Sequence, residues 1–138
     1  MKKLLIILIT VPLVSLGQES KIEVPFSTIE DVPIYPGCEN FAKSERRNCF
    51  QQKINAHITS NFRYPKIAFE RGIQGIVYIN FIISEDGIIR NIRMRGPNKS
   101  LEDEAHRIIS LLPKMEPGKH MGIPVKVPFS LPITFRLQ

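Results

Sequence analysis

Gly72 and Gly75, in "ERGIQGIVYINF", are the residues whose type and spacing most invite a chemical role. Paired glycines can cradle a phosphate, but that geometry needs a strand, then the glycines, then a helix whose N-terminus meets the anion. Here the order is reversed, from a short helical stretch through the glycines into a β-branched segment. The Gly-x-x-Gly clamp that holds a nucleic-acid backbone between two helices fits no better. Gly75 opens a strand, and the intervening Ile73 and Gln74 carry no positive charge. The pair reads as punctuation, with Gly72 ending a helical turn and Gly75 starting a strand where a side chain would intrude.

No reaction is proposed by the other polar residues. No serine sits in a nucleophile elbow, and no His-Glu-x-x-His occurs. His57, His106 and His120 are far apart in sequence; His57 reads as a helix-surface or boundary residue and His106 lies alone on a polar side. Glu102, Asp103 and Glu104 cluster at the start of a helical pattern, where they offset the helix dipole. Catalytic residues, a cofactor and a metal site are therefore not expected.

The N-terminus carries export information. Lys2 and Lys3 precede the apolar run "LLIILITVPLVSL", and "SLG" at 15–17 supplies small residues for cleavage before Gln18. Residues 1–17 are read as a signal peptide, and the destination as the periplasm. The alternative is an uncleaved anchor in the inner membrane, although the run is shorter than a span of ~20 residues and Pro12 interrupts it. Losing two lysines with this segment lowers the net charge from +6 to +4. That mild, dispersed excess favours solubility and carries little weight for nucleic acid. In an oxidising compartment Cys38 and Cys49, the only two cysteines, are expected to form a disulfide. Closing so short a loop contributes roughly 2–3 kcal/mol. They lack Cys-x-x-Cys redox spacing and close metal-ligand partners.

Within 138 residues there is room for one domain. Residues 18–43, with Pro25, Pro33 and Pro36, read as an extended lead-in rather than a packed element. The domain is placed at 44–138. Ser44 is the expected N-cap of a helix whose apolar stripe is Phe50, Ile54, Ile58 and Phe62. Pro65 ends it and opens a short second helical turn. "GIVYINFIIS" is apolar on both faces and reads as a central strand. "SEDG" turns the chain, with Gly87 at positive φ, into the return strand "IIRNIRMRG". "SLEDEAHRIISLLP" is a helix with a capping-box-like start at Ser100 and Asp103, and Leu101, Ala105, Ile108, Ile109 and Leu112 buried. After the loop "KMEPGKHMG", the segment "PVKVPFSLPITFRL" alternates strictly. Pro128 and Pro132 share one parity, so both missing donors lie on the same side of that strand. The fold class is α+β: a two-layer helix-strand-strand-helix-strand domain with a three-stranded antiparallel sheet in order 2-1-3.

The ordered set Tyr64-Pro65, Ala68, Gly72 and Gly75, Asp86-Gly87, Glu104-Ala105, Pro117-Gly118-Lys119 and terminal "LPITFRL" resembles the C-terminal domain of TonB proteins, over about residues 50–138. "YPGCEN" at 35–40, with the second cysteine at 49, is similar to an extension of TonB-like proteins in some Gram-negative lineages. Met115 stands where the family usually has tryptophan, and can fill the same apolar gap. The resemblance implies the two-layer fold and a non-enzymatic role coupling inner-membrane proton-motive force to transport. Its implied partners are TonB-dependent outer-membrane receptors, whose TonB box is taken as an added strand. An inner-membrane proton-channel complex joins them if the N-terminus is retained. The implied binding strand is Val125, Lys126, Val127, Phe129, Ser130, Leu131, Ile133, Thr134 and Phe135. Residues 18–43 span below ~95 Å even when fully extended. A free periplasmic adaptor or dimerisation domain, with the fold but no force transduction, is the alternative role.

Overall fold

The computed structural model describes residues 3–10 and 22–138. Residues 3–10 form no helix or strand, and the rest of the expected signal peptide, with its cleavage site, lies outside the described residues. No helix among the described residues is long and apolar enough to cross a membrane.

Helix α1 (Arg46–Asn61) follows a short 3₁₀ turn at Lys43–Glu45. Ser44, the expected N-cap, falls inside that turn; Glu45 takes the cap position and no side chain caps the helix. Cys49, Phe50 and Ile54 are buried, and Ile58 and Phe62 continue the stripe half-buried against the same core. The chain leaves the helix at Phe62, and Pro65 then occupies the cap position of α2 (Lys66–Glu70). Gly72 ends α2 at φ +63. Its amide donates to the Phe69 carbonyl at 3.2 Å, and the Ile73 amide to that of Ala68 at 2.8 Å. These paired bonds are the Schellman closure, which needs a left-handed residue where Gly72 stands.

Strand β1 (Gly75–Ile83) pairs antiparallel with β2 (Ile89–Arg95) through the hairpin at 84–88. A Cβ on Gly75 would meet Pro97 at 2.6 Å, so the expected lack of room is real. The β1–β2 register slips between Asn80 and Ile82, opposite Asn91 at φ +53. This bulge turns Ile89 and Ile92 toward the same core as Met94 while the arginines stay exposed.

Helix α3 (Lys99–Ser110) starts two residues earlier than the Ser100 signal. The cap is Asn98, whose Oδ1 accepts from the Ser100 amide at 2.8 Å. The Glu102 carboxylate accepts from the Gly96 amide at 3.0 Å, so that acid tethers the approach to the helix. The expected loop after α3 holds a two-residue strand, β3 (Lys119–His120), which pairs with β4 (Ile123–Pro124) just beyond it. Strand β5 (Val127–Phe135) then pairs along all nine residues of β1.

The sheet order is β2-β1-β5, antiparallel throughout, which is the expected 2-1-3 arrangement with helices packed on one side. Central placement of β1 does not bury both its faces. Val77, Ile79, Phe81 and Ile83 enter the core, whereas Ile76 and Tyr78 remain 41% and 56% exposed. A two-layer fold has no element to cover the second face.

The lead-in is packed, not free. Phe26, Ile29, Val32, Tyr35 and Cys38 are all buried in the main core. The Phe26 ring lies 4.6 Å from Phe50 and 5.0 Å from Phe129, and the Arg47 guanidinium sits 4.8 Å above it. Arg47 also donates to the Phe26 carbonyl and, at 2.5 Å, to that of Ile29. Further along, Ile34 bridges to Glu116 and Asp31 to Lys119. The Cys38–Cys49 disulfide is formed and ties this segment to α1.

Candidate functional site

Among the described residues no group of three or more His, Cys, Asp or Glu is placed to hold a metal ion. His57 lies between helices, its Nε2 2.8 Å from the Ile108 carbonyl. His106 contacts Ser110, its neighbour one turn along α3. The carboxylate cluster also separates into structural parts. Glu104 is buried, accepting from the Arg63 amide at 2.7 Å and from Arg107 Nε at 2.5 Å. Asp103 pairs with Lys99 on the surface.

Strand β5 is the edge of the sheet. Two bonds reveal which way its backbone points: the Val24 amide donates to the Lys126 carbonyl at 3.0 Å, and the Phe26 amide to the Pro128 carbonyl at 3.1 Å. Backbone direction alternates along a strand, so even-numbered residues of β5 point away from β1. Pro128 and Pro132 therefore place their missing donors on the open side. The odd-numbered residues carry the complete ladder to β1, where Phe129 faces Phe81 and Ile133 faces Val77.

This alternation divides the nine residues marked in the sequence. Val127, Phe129, Ile133 and Phe135 send side chains into the core and backbone groups toward β1; Leu131 does the same while half-buried. Val125 is buried ahead of β5, its amide donating to the Gly118 carbonyl at 3.0 Å. Lys126 is bridged to Glu23. Ser130 and Thr134 are the two with exposed side chains and outward-facing amides. No backbone group from another described segment bonds Ser130, Pro132 or Thr134 on that side.

The edge is flanked by α1. Asn55, Ile58, Thr59 and Phe62 face Pro132, Ile133, Thr134 and Arg136 across a cleft of about 460 Å³. Toward the other end, Arg47 and Gln51 face Pro128, Phe129 and Ser130 across a second hollow, closed by Pro25, Phe26 and Ser27. The linings hold two arginines and no carboxylate. The sequence marked neither the helix wall nor the lead-in. The proline parity did carry the signal for an interrupted edge, but the open side needed the bonds from Val24 and Phe26.

The fold is thus a two-layer α+β module with an open strand edge beside a helix. The model of the Gram-negative bacterial TonB protein C-terminal region matches residues 60–137, and the chain belongs to this family. It is 35% identical to Protein TonB of Helicobacter pylori strain 26695, over 56% of this chain and 30% of that protein. The figure for strain J99 is 34%, over the same shares. The chain thus spans under a third of these relatives' length. Among solved structures, the C-terminal domain of Helicobacter pylori TonB in solution superposes with a TM-score of 0.53 at 29% identity, covering 72% of this chain and 87% of that one.

Proposed function

We propose that the chain is the partner-engaging module of a TonB-type transport system, non-enzymatic and working in the periplasm. The open edge of β5 takes an extended segment of a TonB-dependent outer-membrane receptor as an added strand. The observation that carries this reading is the stretch Ser130–Thr134, whose outward amides and carbonyls have no partner from another described segment and lie beside the α1 cleft. Main-chain bonds there would supply affinity, and the cleft would select side chains. Ile58 and Phe62 favour an apolar residue, and Arg136 a neighbouring carboxylate. The test is an NMR titration of the protein with N-terminal peptides of outer-membrane receptors. The amides of Ser130, Thr134 and Arg136 are expected to shift; their silence at saturating peptide overturns strand addition at this edge.

The packing of residues 22–42 favours a second reading, a periplasmic adaptor that binds the same segments without transmitting force. Those residues are folded onto the body and provide no extended arm. Mass spectrometry of the protein purified from envelopes separates the two. A soluble form beginning at Gln18 supports the adaptor, and a membrane-retained form with its N-terminus intact supports the transducer.

A further inference from the structure

The first part of the β5 edge is already occupied by the chain's own N-terminal segment. Ile22–Phe26 runs parallel to Lys126–Pro128, with Glu23 bridged to Lys126. The Lys126 amide donates to the Ile22 carbonyl at 3.4 Å, Val24 returns a bond at 3.0 Å, and Phe26 adds one at 3.1 Å. The next rung would run from residue 128 to the Val24 carbonyl, and Pro128 has no N–H to make it. The two ends of this segment are held very differently. Phe26 is buried between aromatic rings under Arg47, whereas Ile22 is 54% exposed and Glu23 is exposed. Beyond Phe26 the chain turns off the edge, with the Thr28 and Ile29 amides donating to the Pro25 carbonyl.

We propose that Ile22–Val24 is a displaceable self-strand, hinged at Phe26, that sets the length and register of the partner site. With the segment seated, an incoming strand is confined to Ser130–Arg136. With it lifted, and the Phe26 amide swung off the Pro128 carbonyl while the Phe26 ring stays seated, the Lys126 amide and the Lys126 and Pro128 carbonyls join the available edge, and the site extends toward Val127. The missing Pro128 rung makes the segment removable. The buried Phe26 keeps it tethered, so it returns when the partner leaves. This inference rests on the reading of β5 as the partner edge, and its test separates the two.

The first measurement uses the full chain without peptide. The Val24 and Lys126 amides are expected to exchange with solvent together, through one opening, roughly tenfold or more faster than the Ile79 amide in the sheet centre. Exchange of Val24 as slow as that of Ile79 makes the segment a permanent fourth strand and overturns the proposal. The second uses Val24→Pro, which deletes the Val24 donor and leaves Phe26 and Arg47 in place. A receptor N-terminal peptide is expected to perturb Ser130–Arg136 in the native protein and to extend its footprint to Lys126 in the variant, binding severalfold more tightly. An identical footprint on both proteins overturns the proposal. A peptide that perturbs neither protein overturns the receptor reading, while the exchange rates still decide whether the self-strand lifts.

Discussion

The α-carbon of Gly87 lies so close to the Met115 backbone that a Cβ built on it would fall 1.7 Å from the Met115 carbonyl oxygen. The Met115 amide donates to the Gly87 carbonyl at 3.0 Å, so the β1–β2 hairpin and the loop after α3 are joined backbone to backbone. Gly87 also sits at φ +81, where a Cβ is strained whatever the space. Gly87→Ala combines both penalties and is expected to cost about 2–4 kcal/mol, read as a lowered urea midpoint at unchanged slope. Gly72→Ala meets no atom within 4 Å and serves as the contrast. It should cost only about 1 kcal/mol, from the left-handed φ alone.

Glu104 joins the exit of α1 to α3. Glu104→Ala leaves the Arg63 amide without its acceptor and removes the Arg107 pair in one step. A stability loss of about 2 kcal/mol is expected by urea denaturation. Glu104→Gln keeps an acceptor for the amide and should recover roughly half of that loss.

The Cys38–Cys49 bond links the packed lead-in to α1 across a short loop. Replacing both cysteines by serine is expected to lower unfolding free energy by roughly 2–3 kcal/mol. Because Phe26 and Ile29 remain bonded to Arg47, the N-terminal part of the lead-in should stay docked. Unchanged chemical shifts at Phe26 and Phe129 in the double variant check this.

Thr134→Pro separates binding from folding. Residue 134 faces outward like the two natural prolines, so proline there removes an edge donor without breaking the ladder to β1. Stability should change by less than about 1 kcal/mol, while peptide affinity falls about tenfold, the equivalent of one hydrogen bond. A similar loss from Ile133→Ala would not discriminate, because Ile133 belongs to the core.

The long elements were legible because their periods are those of a strand or a helix. Strict alternation from Val125 to Leu137 identified β5, and the parity of Pro128 and Pro132 marked it as an edge. The lead-in was not legible by those rules. Phe26, Ile29, Val32, Tyr35 and Cys38 recur every three residues, matching neither a period of two nor one of 3.6. Turns closed onto the Pro25 and Tyr35 carbonyls, and the bridges of Asp31 and Ile34 to the loop after α3, bring these residues inward, and no regular element runs through them. Helix starts were misplaced by a few residues for a local reason. Ser44 and Ser100 have the right chemistry, but the 3₁₀ turn and the Asn98 side chain set the boundaries. The apolar outer face of β1 spoke for a buried strand, yet only its neighbours on either side, not a second layer, accounted for its central place.

The covalent link between Cys38 and Cys49 also defines a mechanical limit. Tension applied from the N-terminal side would strip the lead-in progressively, first at Ile22 and then past Phe26 and Ile34. At Cys38 the load passes through sulfur into α1, bypassing the loop between the two cysteines. The paid-out chain, residues 22–37, has a contour of about 55 Å. Under such a load the disulfide would be the stop, lengthening being confined to the residues ahead of Cys38.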